Sequence, residues 1–141
     1  GVCHTHSKHA TMFSQAGVAL PCQGTTQADH FHGTVPVVRE LTPAEVAEDY
    51  EGNTGLAIAE CFREQGIDPL ARPGCFQKFH APFTWGKNAL DAVSNSVALE
   101  VCAEMALGTW RLDPQQNGLP GHLLDKHYLR KHGDGAYYGQ G

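Results

Sequence analysis

The sharpest chemical signal in the chain is His4-Thr5-His6. In a β-strand, residues two apart project from one face, so two imidazoles at this spacing can reach a single ion. Zinc accepts two or three histidines readily, and a catalytic zinc keeps one position open for water or substrate. A third ligand is then needed. His80 is one candidate, because it follows a strand-like run and precedes Ala81-Pro82, where a strand end could face the first pair. His30-Phe31-His32 has the same spacing and competes with it, in surroundings (Gly24-Thr25-Thr26, Gly33) that read as loop. Spacing alone does not choose between them.

A second group lies near the C-terminus. His127, Arg130 and Lys131 fall at i, i+3 and i+4 and share a helix face. Such a face is either an anion or acid–base cluster or a solvated basic helix end, which the helix dipole favours. Tyr137-Tyr138 reads as packing, or as a proton donor if placed in a site. Phe83 to Asn88 fails as a phosphate loop, since Ala81 and Asn88 break the required Gly and Ser/Thr positions, and Lys87 at a helix start reads as a positioned or solvated charge. No G-x-S-x-G, H-E-x-x-H or G-x-G-x-x-G occurs, which weakens serine hydrolase, zincin and NAD-binding readings.

These groups need a scaffold. The 141 residues correspond to one domain. Ten basic against fifteen acidic residues give a net charge of −5, which excludes a general basic footprint for nucleic acid or an anionic membrane. Nine histidines are present, five of them within the first 32 residues. Five scattered cysteines with no C-x-x-C read as buried free thiols in a reducing compartment, consistent with a cytoplasmic protein. No signal peptide or membrane span is visible. Gly1 to Thr5 reads as a strand, and Ser7 caps a helix that Gly17 stops at Ala16. Val35 to Val38 reads as a short strand. Thr42-Pro43-Ala44-Glu45 opens a helix, and a second runs from Thr54 to Gln65, closed by Gly66. Pro73-Gly74 reads as a turn and Cys75 to Phe79 as a half-buried strand. Ala89 to Arg111 is the strongest helix, with Leu90, Val93, Val97, Val101 and Met105 expected as its core-facing stripe. A last helix runs from about Leu119 to Lys131, stopped by Gly133. Mixed strands and helices imply a layered α/β domain.

Three internal runs, Val2-Cys3-His4-Thr5-His6-Ser7, Gly24-Thr25-Thr26-Gln27-Ala28-Asp29 and His80-Ala81-Pro82-Phe83-Thr84-Trp85-Gly86-Lys87, resemble the class II aldolase/adducin-like superfamily. The ending Leu123 to Gly133, with Ala136-Tyr137-Tyr138-Gly139-Gln140, is similar to its L-ribulose-5-phosphate 4-epimerase branch. The resemblance implies a three-layer α/β/α fold with a largely antiparallel sheet. It implies a divalent metal, usually zinc, on His4, His6 and His80, and no NAD. It places an acid–base pair on Asp29 and Tyr138, supported by His127 and Arg130. The implied reaction is epimerisation at C4 of L-ribulose 5-phosphate to D-xylulose 5-phosphate by retro-aldol and aldol steps. The implied assembly is a homotetramer with sites between subunits. Gln27 and Ala81 depart from the usual pattern, where His and Gly stand. The family's N-terminal phosphate-binding portion has no counterpart here, so residues 1–141 are expected to be the C-terminal portion of one domain and a poor enzyme alone. A sugar-phosphate aldolase and a non-catalytic interaction module are the alternatives.

Overall fold

Strand β4 (Pro82–Trp85) is the axis of the sheet: β1 (Val2–His4) pairs with it on one side and β3 (Gly74–Gln77) on the other, both antiparallel. Strand β2 (Val37–Val38) adds to β3 in parallel, giving the order β1-β4-β3-β2. The computed structural model describes residues 1–139, so Gln140 of the tail motif lies outside the described residues. Helices α1 (Lys8–Ala16) and α4 (Ala89–Leu112) share a buried cluster with Phe76, including Phe13, Leu99, Cys102, Ala103 and Ala106. Helix α3 (Pro43–Glu64) packs Ala57, Cys61 and Phe62 against Cys75, Phe83 and Trp85. Because Cys75 and Phe76 are neighbours pointing to opposite faces, the two clusters lie on opposite sides of the sheet. The result is the expected three-layer α/β/α arrangement with a largely antiparallel sheet. Two further helices, α2 (Thr25–Ala28) and α5 (Gly121–His132), complete the chain.

Local signals explain most boundaries. Ser7 and Gly17 bracket α1, with Gly17 in the left-handed region at φ 64°. Thr42, Pro43 and Glu45 form a complete capping box. The two helices expected between Thr42 and Gln65 are joined at a kink at Asp49, whose backbone is extended (φ −158°, ψ 86°). The Asp49 carboxylate accepts the Gly52 N–H at 3.1 Å and so restarts the helix there, not at Thr54.

Several expectations fail. Pro73-Gly74 is not a turn, since Gly74 opens β3. That strand is buried on both faces, not half-buried, because it is central in the sheet. It ends at Gln77 because Phe79 enters the left-handed region at φ 64°. The largest correction concerns α4. Leu90, Val93, Val97, Val101 and Met105 face outward, with exposures from 43% at Val101 to 83% at Leu90. The buried face carries Ala92, Asn95, Ser96, Leu99, Cys102, Ala103 and Ala106. Both faces of α4 are apolar at helical spacing, so periodicity does not select one. Side-chain size does: the small residues let α4 come close enough to β4 for Thr84 Oγ1 to donate to the Ala92 carbonyl at 2.9 Å.

This inversion is testable. Leu99→Ala should cost about 2–5 kcal/mol of unfolding free energy, as for a core truncation. Val97→Ala in the same 141-residue chain should stay within about 0.5 kcal/mol, as for a surface change. Denaturant melts of the two variants measure both.

Candidate functional site

The three strand ends that meet at one edge of the sheet carry the three imidazoles. His4 closes β1 opposite Phe83, His6 lies on the link to α1, and His80 sits in the turn from β3 to β4. Their ring nitrogens lie within 4.8 Å of one another, the one such cluster of metal-type side chains among the described residues. The rings of His4 and His80 stack at 4.8 Å between centroids, and His6 meets each edge-on at 5.1 and 4.9 Å. Phe83 stacks on His4 at 4.2 Å and Tyr50 meets His80 at 6.0 Å, two supports that the sequence reading did not single out.

The donor chemistry suits a cation. His4 Nδ1 lies 3.0 Å from the Pro82 carbonyl, which can only accept, so Nδ1 carries the proton and Nε2 keeps its lone pair. Burial, then the neighbouring His4 and His6, push the His80 pKa below the usual imidazole value, which favours the neutral, ligating form. Phe79, the residue before His80, is the one non-glycine at positive φ among the described residues. Such a conformation costs roughly 1–2 kcal/mol for an L-residue, and it is held where the turn presents His80. The competing pair is otherwise engaged: His30 Nδ1 lies 3.3 Å from Asn95 Oδ1, and His32 Nε2 lies 2.7 Å from Asp125 Oδ1.

The four expected acid–base residues also gather, in a second place. Arg130 donates to both Asp29 carboxylate oxygens, at 3.2 and 3.0 Å from Nη2. His127 Nδ1 lies 3.2 Å from Asp29 Oδ1, and the Tyr138 ring covers the Arg130 guanidinium at 4.1 Å. His132 Nε2 adds a bond to the Asp29 carbonyl at 2.9 Å. This cluster lies at the other end of the sheet from the histidines. His30, next to Asp29, reaches Asn95, which donates to the carbonyl of Trp85 at the far end of β4. Arg72, two residues before β3 begins, donates to the His32 carbonyl at 2.7 Å. Lys87 is exposed, as expected of a solvated charge. Four of the five thiols are buried as expected and Cys3 is half-buried; burial pushes Cys22 up to about 11 and Cys102 up to about 12.

Residues 1–107 match the Class II Aldolase and Adducin N-terminal domain. The chain belongs to this family. L-ribulose-5-phosphate 4-epimerase UlaF from Salmonella paratyphi C is 49% identical over 140 residues, 99% of this chain and 60% of the relative. The UlaF of Salmonella typhi gives the same identity and coverage. The chain thus spans about 60% of the length of these curated relatives. Among solved structures, an L-fuculose 1-phosphate aldolase superposes with a TM-score of 0.70 at 18% identity, over 92% of this chain and 54% of that one. At that identity it shows the shared class II aldolase fold alone.

Within this class II aldolase-family chain, α5 has no fully buried residue, and its attachment rests on polar contacts to Asp29 and His32 together with the stacking of Tyr128 on His32 at 4.7 Å. Asp29→Asn removes the charge facing Arg130 and should weaken α5 docking by about 1–2 kcal/mol, since a bond to a charged group outweighs a neutral one. Amide exchange across α5 should then accelerate about tenfold, with α4 unchanged. Unchanged exchange in α5 would show that other contacts hold it.

Proposed function

We propose that this chain carries the catalytic residues of an L-ribulose-5-phosphate 4-epimerase, converting L-ribulose 5-phosphate to D-xylulose 5-phosphate. The observation that carries the reading is a converging His4, His6 and His80 triad in a chain 49% identical to two proteins named for that activity. In this reading the three imidazoles hold a divalent ion, zinc being the expected one. Class II aldolase-family members generally depend on a divalent metal and act on sugar phosphates, which supports the assignment.

Inverting C4 is a demanding step, because that carbon carries a hydroxyl but does not adjoin the carbonyl. His4, His6 and His80 would hold the divalent ion, which when bound would supply Lewis acidity toward the substrate carbonyl, the polarisation that cleavage and re-formation of the C3–C4 bond require. The rest falls to side chains. His4 is oriented by Pro82 through Nδ1, which leaves Nε2 as its ligating nitrogen. One group must take the C4 hydroxyl proton on one face of the sugar fragment and another must return a proton on the opposite face. Asp29 and Tyr138 are proposed for these roles. Arg130 and His127 hold the Asp29 carboxylate in place, and Arg130 also carries the Tyr138 ring.

Within one chain the triad and the Asp29 cluster occupy opposite ends of the sheet. That separation supports a site shared between copies, with Asp29, His127, Arg130 and Tyr138 of one subunit serving the histidines of its neighbour in a homotetramer. The proposed setting is cytoplasmic. No described helix is long and apolar enough to cross a membrane.

A chimera tests this reading with the relative's full length. This chain replaces the matched 140 residues of the Salmonella UlaF. The chimera should form D-xylulose 5-phosphate, lose the activity to a chelator and regain it with zinc. Release of a free aldehyde would instead favour the aldolase reading that the fold neighbour raises. Mixing a Tyr138→Phe chimera with a His4→Ala chimera should restore activity when subunits exchange. Restoration is expected because some sites then combine two intact halves, and each single variant should lose about 10²–10⁴-fold, the usual contribution of an acid–base group. No recovery despite proven exchange would place both groups in one subunit's site.

A further inference from the structure

Glu100 lies in the middle of α4, yet its carboxylate caps a different helix. Ser7, at the N-cap of α1, makes no side-chain capping bond. Glu100 takes that role from across the interface. It accepts the His9 N–H at 3.0 and 3.1 Å, the Ala10 N–H at 2.9 Å and the His9 Nδ1–H at 2.8 Å. Two of the four orphan donors of α1 are thereby satisfied by a charged acceptor at the positive end of its dipole. Burial, the largest single influence, pushes the Glu100 carboxyl up, but the hydrogen bonds it accepts, led by the Ala10 and His9 N–H groups, together hold it below its usual range. Glu100 is therefore an ionised, partly buried anchor that fixes α1 to α4.

Helix α1 is also the piece that spaces two of the three histidines. At its N-terminal end, His6 directly precedes the cap residue Ser7. Toward its C-terminal end, the Ser14 carbonyl accepts the Phe79 N–H at 2.9 Å, which ties α1 to the turn bearing His80. His4 has its own support in the β1–β4 ladder and the Pro82 carbonyl. Among the described residues His6 has no side-chain hydrogen bond of that kind, so the placement of α1 sets its distance from His80.

We propose that Glu100 is a positioning residue for the histidine triad, acting through α1 to hold His6 and His80 at ligating distance. This rests on the reading of the triad as a metal site. The test uses the 141-residue chain and zinc alone, with a chromophoric chelator as competitor. In parallel, the metal-free protein is examined by NMR for the cross-relaxation between the His6 and His80 rings, whose centroids lie 4.9 Å apart. Glu100→Ala should weaken zinc binding by about tenfold, as for the loss of a group supporting a metal ligand, and should dim the His6–His80 signal. Glu100→Gln keeps an oxygen acceptor for the backbone N–H groups and should restore part of both. Ile67→Ala, a cavity variant in the α3 cluster, should lose stability but keep zinc affinity and the ring signal. Wild-type affinity in Glu100→Ala overturns the inference, as does an equal loss in Ile67→Ala. Should Glu100→Ala not fold, Glu100→Leu, which keeps the side-chain volume and removes the acceptor, decides, and an unchanged affinity there is equally fatal. A wild-type chain that binds no zinc overturns the metal reading itself, and this inference with it.

Discussion

The register of β4 against its two neighbours is the constraint on which the site depends. His4 pairs with Phe83 and Cys75 pairs with Phe83 from the other side, so one residue of β4 is the common reference for β1 and β3. Because side chains alternate along a strand, a slip of one residue would turn His4 to the other face of the sheet and break the triad. The slip is opposed from both sides. Cys75 and Phe76 are fully buried on opposite faces, so β3 has no exposed face onto which it could move. The turn that follows is tight enough to force Phe79 to φ 64°, and His80 emerges from it aimed at His4. Core packing and ligand convergence are thus one arrangement.

The two ends of the sheet are built by different physics. At the histidine end, ring stacking and backbone pairing hold three imidazoles close together, an arrangement that like charges on the rings would oppose. At the other end, a carboxylate and a guanidinium dock a helix that has no fully buried residue of its own. Polar attachment of this kind is directional: it fixes which face of α5 meets α2 while leaving most of the helix exposed. The exposed apolar stripe of α4 belongs to the same economy of a small chain, in which one helix carries two apolar faces and only its small-residue face is needed for the sheet.

Much of this was legible in the sequence because it is local. Ser7 to Gly17, the Thr42-Pro43-Ala44-Glu45 start and the Gly133 stop each carry their own signal, and each was read correctly. The i, i+2 histidines announced a shared face, whereas the third histidine came from resemblance, since a contact between residues 4 and 80 leaves no trace in local spacing. The elements that escaped were short or non-local. Strand β4 is four residues long and begins with proline, and α2 is a single turn inside a polar loop. The buried face of α4 was missed because burial is a relation between elements, and two apolar stripes on one helix look alike until the partner is known. Glu100 escaped for the same reason: its role as a cap lies 90 residues from the helix it serves.

The central claim is that His4, His6 and His80 act together on one divalent ion. Its most direct test is a crystal structure of the zinc-soaked protein, with anomalous diffraction recorded on either side of the zinc absorption edge. The account predicts one strong zinc peak bounded by these three imidazoles, with nitrogen contacts of about 2.0–2.1 Å and His4 still donating through Nδ1 to the Pro82 carbonyl. A peak at His30 and His32, or ordered zinc nowhere near the β1–β4 edge, would contradict it.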